Sequence, residues 1–450
     1  MTVSSIRLAE ILGALSRALD LTEGQPPGHC IRCCWIGTAI GRALALPEEL
    51  LADLYYTLLL KDLGCSSNAS RICELYLTDD LSFKKDFKIL DGNLPQVLRF
   101  VLSHTGSHAA FAERVRGVLN IMRNGGTIAR DLIETRCQRG AAIARRMRFS
   151  EAVAGGILDL DEHWDGGGKP LGRTGTEIST FARVALLAQV VDVFHSSGGR
   201  EGAIQEIDRR CGTWFDPAVV EAFHVAAHDP DFWHGLSDEG LEARVLDMEP
   251  GRETAKADED YLDDIAQAFA HVIDAKSPYT SGHSERVAIF SDMIAEQMGF
   301  DMAQRRWLKR AALLHDIGKL GVSSSVLDKA GKLDDTEWLA MKSHAGLSEA
   351  ILSRIDAFSD LSRIAGAHHE RLDGKGYPRG LTGDQIDLET RIVSTADVFD
   401  ALTADRPYRA AMPASKALTI LRDGIGTSHD ETCIVALEQA LSQASLAAAA

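Results

Sequence analysis

Seven side chains in the second half of the sequence are of the kinds that hold transition metals: His283, His315, Asp316, His344, His368, His369 and Asp397. They recur at intervals of 24 to 32 residues, with two adjacent doublets, His315-Asp316 and His368-His369. Imidazole and carboxylate together suit Fe, Mn, Zn, Co or Ni rather than a soft thiolate metal. A single histidine on a helix is more often a packed side chain than a ligand, but seven such residues in one segment read as a metal centre. Successive residues on a helix point about 100° apart, so a doublet does not serve one position neatly. It can serve two cations lying side by side, with the Asp316 carboxylate between them. Two metals about 3.5–4 Å apart form the clamp used for in-line attack at phosphorus.

The elements that must position these residues read as helices. In ERVAIFSDMIAEQM, Val287, Phe290, Ile294 and Met298 are spaced by 3, 4 and 4 and mark one helical face. WLKRAALLHDIG follows the same pattern, and Gly and Pro gather in short loops such as DGKGYPRG. No run of alternating strands is present, so the expected class is all-α.

The chain also repeats itself. Gly28-His29 with Arg32 matches Gly282-His283 with Arg286, and LLLKDLG at 58–64 matches ALLHDIG at 312–318, both 254 positions apart. DEHWDGGGKPLG at 161–172 matches HERLDGKGYPRG at 369–380, and Arg183 matches Arg391, now 208 apart. The first copy therefore carries an insertion of 46 residues between Cys65 and Cys137. The expected organisation is a first helical copy over 1–228, a linker over 229–257 marked by Pro250-Gly251 and a charge run, a second copy over 258–442, and a frayed tail over 443–450.

Composition narrows the function. With 48 basic against 65 acidic residues and a net charge of −17, the chain lacks the basic footprint of a nucleic-acid polymer binder. No stretch approaches the roughly 20 apolar residues of a membrane span, and the N-terminus lacks a signal-peptide core, so a cytoplasmic protein is expected. The cluster Cys30, Cys33 and Cys34 lies in an apolar helical run without a second CxxC pair and reads as buried, reduced cysteine.

HDIGK at 315–319 followed by HHERLDGKGYPRG at 368–380 resembles the HD-GYP family, a branch of the HD superfamily of metal phosphohydrolases. SPYTSGHSERV at 277–287, His344 and TADVFDALTADRPYR at 395–409 fit the same pattern. The resemblance implies tandem HD-type helical domains with an HD-GYP second copy, a di- or trinuclear centre, and hydrolysis of cyclic di-GMP to linear pGpG or GMP in bacterial second-messenger signalling. It implies that the seven residues above are ligands with Asp316 bridging, and that a hydroxide on the metals attacks. Lys319 would face the same site and act on phosphate charge or the leaving oxygen, Arg406 and Arg409 would grip phosphates, and Asp400 would hold a base or the lysine. Some family members carry a third-metal ligand, a Glu, four residues before the first His; here Tyr279 stands there, so two divalent ions, Fe or Mn, are favoured.

The first copy fails the same test. His29 and Asp62 are retained, but Lys61 replaces His315, Cys65 replaces Lys319, Leu160-Asp161 replaces the His pair and Gln189 replaces Asp397. Arg139 or a near neighbour stands for His344, and HSSGG at 195–199 replaces the DRPYR loop. An ammonium among the ligands repels metals, so this copy reads as catalytically dead. The ligand set leaves another cyclic dinucleotide open as substrate, such as a mixed GMP–AMP ring, because bases are read by pocket walls. A signalling adaptor that binds partner proteins is a further alternative, as is a homodimer.

Overall fold

The computed structural model describes residues 6–90, 94–106, 110–251, 256–407 and 409–449, which form two compact units divided between Tyr261 and Leu262. The first contains α1 (Leu8–Thr22), α2 (His29–Ala43), α3 (Glu48–Leu60), α4 (Ala69–Tyr76), α5 (Asp80–Phe87), α6 (Leu94–His104), α7 (Phe111–Arg146), α8 (Glu151–Leu158), α9 (Thr180–Arg210), α10 (Pro217–Ala227), α11 (Pro230–Leu236) and α12 (Leu241–Asp247). After α13 (Glu259–Asp274), the second has α14 (His283–Gln297), α15 (Met302–Leu314), α16 (Ser324–Leu327), α17 (Asp335–Leu352), α18 (Ser359–Ala367), α19 (Leu388–Thr403), α20 (Ala414–Asp423) and α21 (Glu431–Ala449). The class is all-α. Beyond isolated bridges, the strand pairing among the described residues is one two-residue antiparallel pair, β1 (Ile6–Arg7) with β2 (Lys256–Ala257).

The two units are built alike. In the first, α2 packs on α3, α9 and α10, and α7 on α8; in the second, α14 packs on α15, α19 and α21, and α17 on α18. Buried Glu162 accepts the amides of Leu171, Gly172 and Arg173, and buried Glu370 those of Arg379, Gly380 and Leu381. Each carboxylate thereby folds a Gly-Pro loop that has no strand or helix to satisfy its backbone.

One glycine in each unit sets the spacing. A Cβ on Gly318 would stand 2.0 Å from the His344 carbonyl oxygen, and one on Gly64 would stand 1.8 Å from that of Arg136. Only glycine allows so close a backbone approach. The match aligns Arg136, not Arg139, with His344. It also puts the whole insertion before Arg136: α4 to α6 and the first part of α7, with an apolar cluster of Ile72, Tyr76, Phe83, Phe100, Val101 and Ile121.

One expectation about connecting segments is corrected. Residues 229–257 are not an open linker: α11 and α12 bury Phe232, Trp233, Leu236, Leu241 and Val245, and both pack on α2. Apolar burial outweighs the Pro-Gly and charge signals there. α21 continues to Ala449, as an Ala-rich stretch of high helix propensity favours. No helix among the described residues is long and apolar enough to cross a membrane.

Candidate metal centre

Both doublets sit where a helix stops. α15 ends at Leu314 with His315 as its cap, and Asp316 leaves the helix at φ −100°, ψ 11° before a 3-10 turn over Ile317–Gly321. α18 ends at Ala367 with His368 as its cap. The 100° helical offset therefore does not apply, and adjacent side chains of each doublet turn into one hollow. His283 is the first residue of α14, His344 projects from α17 and Asp397 from α19.

All seven expected ligands meet there. They form two groups, Asp316 with His344, His368 and His369, and His283 with His315 and Asp397, each with donor atoms within 4.8 Å of one another. Asp316 lies between them. Its Oδ2 is 3.3 Å from His283 Nε2 and 3.2 Å from His315 Nε2, while its Oδ1 is 3.4 Å from His344 Nε2 and 3.7 Å from His368 Nε2.

The imidazoles are held ready to coordinate. Nδ1 of His315, His344 and His368 donates to the carbonyl three residues earlier, on Ala312, Met341 and Ala365, at 2.7, 2.6 and 2.7 Å. That bond leaves the Nε2 lone pair facing inward. Burial keeps His344 neutral down to about 4 and His369 to about 3. Burial also opposes charge on His283, but the facing carboxylates of Asp316, Asp397 and Asp400 outweigh it and raise His283 to about 10. Positive charge is thus favoured at the centre. His283 Nε2, His315 Nε2 and Asp316 Oδ1 are buried without a hydrogen-bond partner, a costly condition for neutral packing. Orphaned inward atoms, a nitrogen-oxygen donor set and fixed tautomers fit divalent cations.

The remaining expected residues divide. Lys319 does reach the site, but not as one α-turn beyond His315. It lies one 3-10 turn beyond Asp316, with its amide on the Asp316 carbonyl at 2.8 Å and its ammonium paired with the Asp316 carboxylate. Asp400 is buried behind the ligands. It accepts from His283 Nδ1 at 2.7 Å and from Arg286, so it orients a ligand instead of meeting substrate. Arg409 is also corrected: its guanidinium donates to the carbonyls of Ala401, Leu402 and Ala410, at 2.6, 2.8 and 3.0 Å, and caps the end of α19. Arg406 is half-buried in the same loop and has no side-chain partner among the described residues.

Sequence reasoning placed Tyr377 in the rim loop but missed Trp338 beside it. Tyr377 lies 4.7 Å from the His369 ring and 6.0 Å from Trp338, which is 45 % exposed and carries Lys342 5.9 Å from its ring. Their signal was the shared α17 that carries Trp338, Lys342 and His344 at intervals of four and two residues.

In the first unit an ammonium occupies the corresponding hollow. Lys61 Nζ lies 3.0 Å from His29 Nε2 and 3.2 Å from Gln189 Oε1, and pairs with Asp62. Arg136 pairs with Asp161, the counterpart of His369. The orienting pair survives, with Asp192 held 2.6 Å from His29 Nδ1 and bound to Arg32. All eight cysteines are free, and burial pushes the Cys33 thiol up to about 12.

Comparison with known proteins agrees with this geometry. A family model described as HD domain matches residues 117–219 and 267–433. The chain is 54 % identical over 434 residues to 3'3'-cGAMP-specific phosphodiesterase 3 of Vibrio cholerae, covering 96 % of this chain and 94 % of that protein. It is 42 % identical over 171 residues to the cyclic di-GMP phosphodiesterase response regulator RpfG of Xanthomonas campestris, covering 38 % of this chain and 45 % of that one. A crystal structure of a cyclic GMP-AMP specific phosphodiesterase from V. cholerae matches 98 % of both chains at 49 % identity with a TM-score of 0.67. Two matched segments, with seven candidate ligand side chains converging in the second and a lysine-filled counterpart in the first, place the chain in the HD domain family, as a tandem protein whose second copy is of the HD-GYP type.

Proposed function

We propose that the chain is a phosphodiesterase that opens a cyclic dinucleotide, with 3'3'-cGAMP as its preferred substrate. The observation that carries the chemistry is Asp316, whose two carboxylate oxygens each face one group of ligands. The substrate rests on likeness over 94 % of the length of a relative named for 3'3'-cGAMP. RpfG, named for cyclic di-GMP, matches only 38 % of this chain. The first choice from sequence, cyclic di-GMP, is revised accordingly.

Two divalent cations, Fe or Mn by the donor set, would be held by the two groups, with Asp316 facing both, and would supply Lewis-acid charge to the phosphoryl group and the attacking water. Lys319, next to Asp316, donates to a phosphate oxygen or to the departing O3′. Asp400 fixes His283 through Nδ1. Arg406 is the cation left to meet the second phosphate. One water adds at phosphorus, the P–O3′ bond breaks, O3′ takes a proton and a linear dinucleotide leaves.

The test is turnover of 3'3'-cGAMP and of cyclic di-GMP by protein purified without oxygen and loaded with Fe or Mn. A kcat/KM at least about tenfold higher for 3'3'-cGAMP is expected. Equal or faster turnover of cyclic di-GMP would return the assignment to that substrate, and a metal-loaded protein that cleaves neither would remove the phosphodiesterase reading. Trp338 offers a stacking face for a base at the rim, so Trp338→Ala should raise KM by about 5- to 50-fold with metal content intact. A loss confined to kcat would place Trp338 outside base recognition.

A further inference from the structure

The insertion of the first unit has no counterpart in the second, and its inner side is fixed. Lys84 donates to the carbonyls of Thr22 and Cys65 at 2.9 and 2.8 Å, and Lys88 pairs with Glu23 at 2.8 Å. Phe83, Phe100 and Ile121 share one buried apolar cluster. The outer side is apolar as well. Of nineteen large apolar side chains exposed among the described residues, eight lie between Phe87 and Met122. Apolar side chains exposed singly are ordinary, but a cluster marks an interaction surface.

α7 shows the pattern most plainly. Phe111, Val115, Leu119 and Met122 are exposed, Phe111 by 83 % and Met122 by 60 %. Their spacing of 4, 4 and 3 residues keeps them within an arc of about 80° on the helix. Ile121 and Ile128, which α7 buries, lie on another face. On α6, Leu98 and Leu102 are exposed one turn apart, and Arg114 of α7 donates to the Leu102 carbonyl at 2.9 Å. The stripe is bordered by arginine: Arg116 and Arg123 follow it on the helical wheel. Between Leu94 and Arg130 five arginines stand against one acid, Glu113, in a chain of net charge −17. Among the described residues none of the five pairs with a carboxylate; Arg114 and Arg116 meet backbone carbonyls.

Length and charge narrow what covers the stripe. A helix-pair seam is sustained over several heptads, whereas this stripe runs about three turns. It stops at Gly125-Gly126, where no atom lies within 4 Å of a Cβ built on Gly126. A second copy laid on the same face would bring arginine against arginine. We propose that this face rests peripherally on an anionic lipid bilayer, with Phe111, Leu119 and Met122 at the acyl boundary and Arg116 and Arg123 on lipid phosphates. Amphipathic helices with basic residues beside an apolar face lie in that interface without spanning it, and guanidinium groups suit phosphate. The acidic remainder of the chain opposes this contact weakly, because charge is screened beyond about 10 Å at 0.1 M salt.

Co-sedimentation of the full chain with phosphatidylglycerol vesicles and with phosphatidylcholine vesicles tests it. Binding to phosphatidylglycerol is expected to be at least about tenfold tighter at low salt and to fall at about 0.5 M salt. Phe111→Ser/Leu119→Ser should weaken it by about tenfold or more. Arg116→Glu/Arg123→Glu should abolish the preference for the anionic lipid. All four positions are exposed, so both variants should keep the wild-type melting curve. Absence of vesicle binding, equal binding to both lipids, or binding that neither variant alters overturns the proposal. A dimer in solution that Phe111→Ser/Leu119→Ser dissolves, without vesicle binding, would overturn it too and give the face to a second copy.

Discussion

Asp316→Asn is expected to reduce kcat on the cyclic dinucleotide by at least about 10³-fold and to strip most of the bound metal. Removing an outer-shell partner of a metal ligand typically costs 10- to 100-fold, and Asp316 is central: four imidazoles lie within 3.7 Å of its two oxygens. An amide keeps the shape but offers a single acceptor, so it cannot face both groups. The same change removes the counter-charge of Lys319. Asp400→Asn is the graded comparison, since it leaves every ligand in place and loosens only His283 and Arg286. It should cost about 10- to 100-fold in kcat or metal affinity, with KM little changed. Metal analysis beside steady-state kinetics reads both variants. A metal-loaded, active Asp316→Asn enzyme would break the two-group reading, and a KM effect alone for Asp400→Asn would restore that residue to substrate contact.

The second large effect belongs to the first unit. Lys61 and Asp62 are 0 % and 1 % exposed at their side chains. Lys61→Met would leave the Asp62 carboxylate buried without its principal counter-charge, a change that costs about 3–5 kcal/mol. Such a loss should erase much of the amide-exchange protection of α2, α3 and α9 while sparing α14 and α19. Lys61→Met/Asp62→Asn, which removes both charges, should regain most of the stability. Protection within about 1 kcal/mol of wild type in the single variant would mean that Lys88 and water already compensate Asp62.

The convergence of the seven candidate ligands was legible because metal-binding side chains have few substitutes, and because their recurrence at 24 to 32 residues follows the length of a helix and its loop. The repeat was legible for the same reason, through His29, Asp62 and the glycines. What escaped was the direction of side chains whose type allows several roles. Arg409 looks like a phosphate binder but satisfies carbonyls at the end of α19. Asp400 looks like a substrate contact but lies behind His283. The doublets were expected on continuous helices, whereas α15 and α18 stop just before them. Residues 229–257 were misjudged because Pro250-Gly251 and the charges stand out, while Trp233, Leu236, Leu241 and Val245 are spread thinly along the sequence and converge only on folding.

The paired glycines carry a historical implication. At Gly318 and Gly64 main chain rests on main chain, at a distance that no side chain would allow. A junction of that kind is indifferent to which residues project beside it. It holds its place whether His315 or Lys61 points inward, and in the first unit the Lys61 ammonium lodges between His29 and Asp62. Inheritance of the frame is thereby uncoupled from inheritance of the chemistry: ligands can be discarded one after another in a duplicated copy without collapsing its architecture. In the first copy Gly64 keeps the place of Gly318 although the histidine of the preceding pair has given way to Lys61.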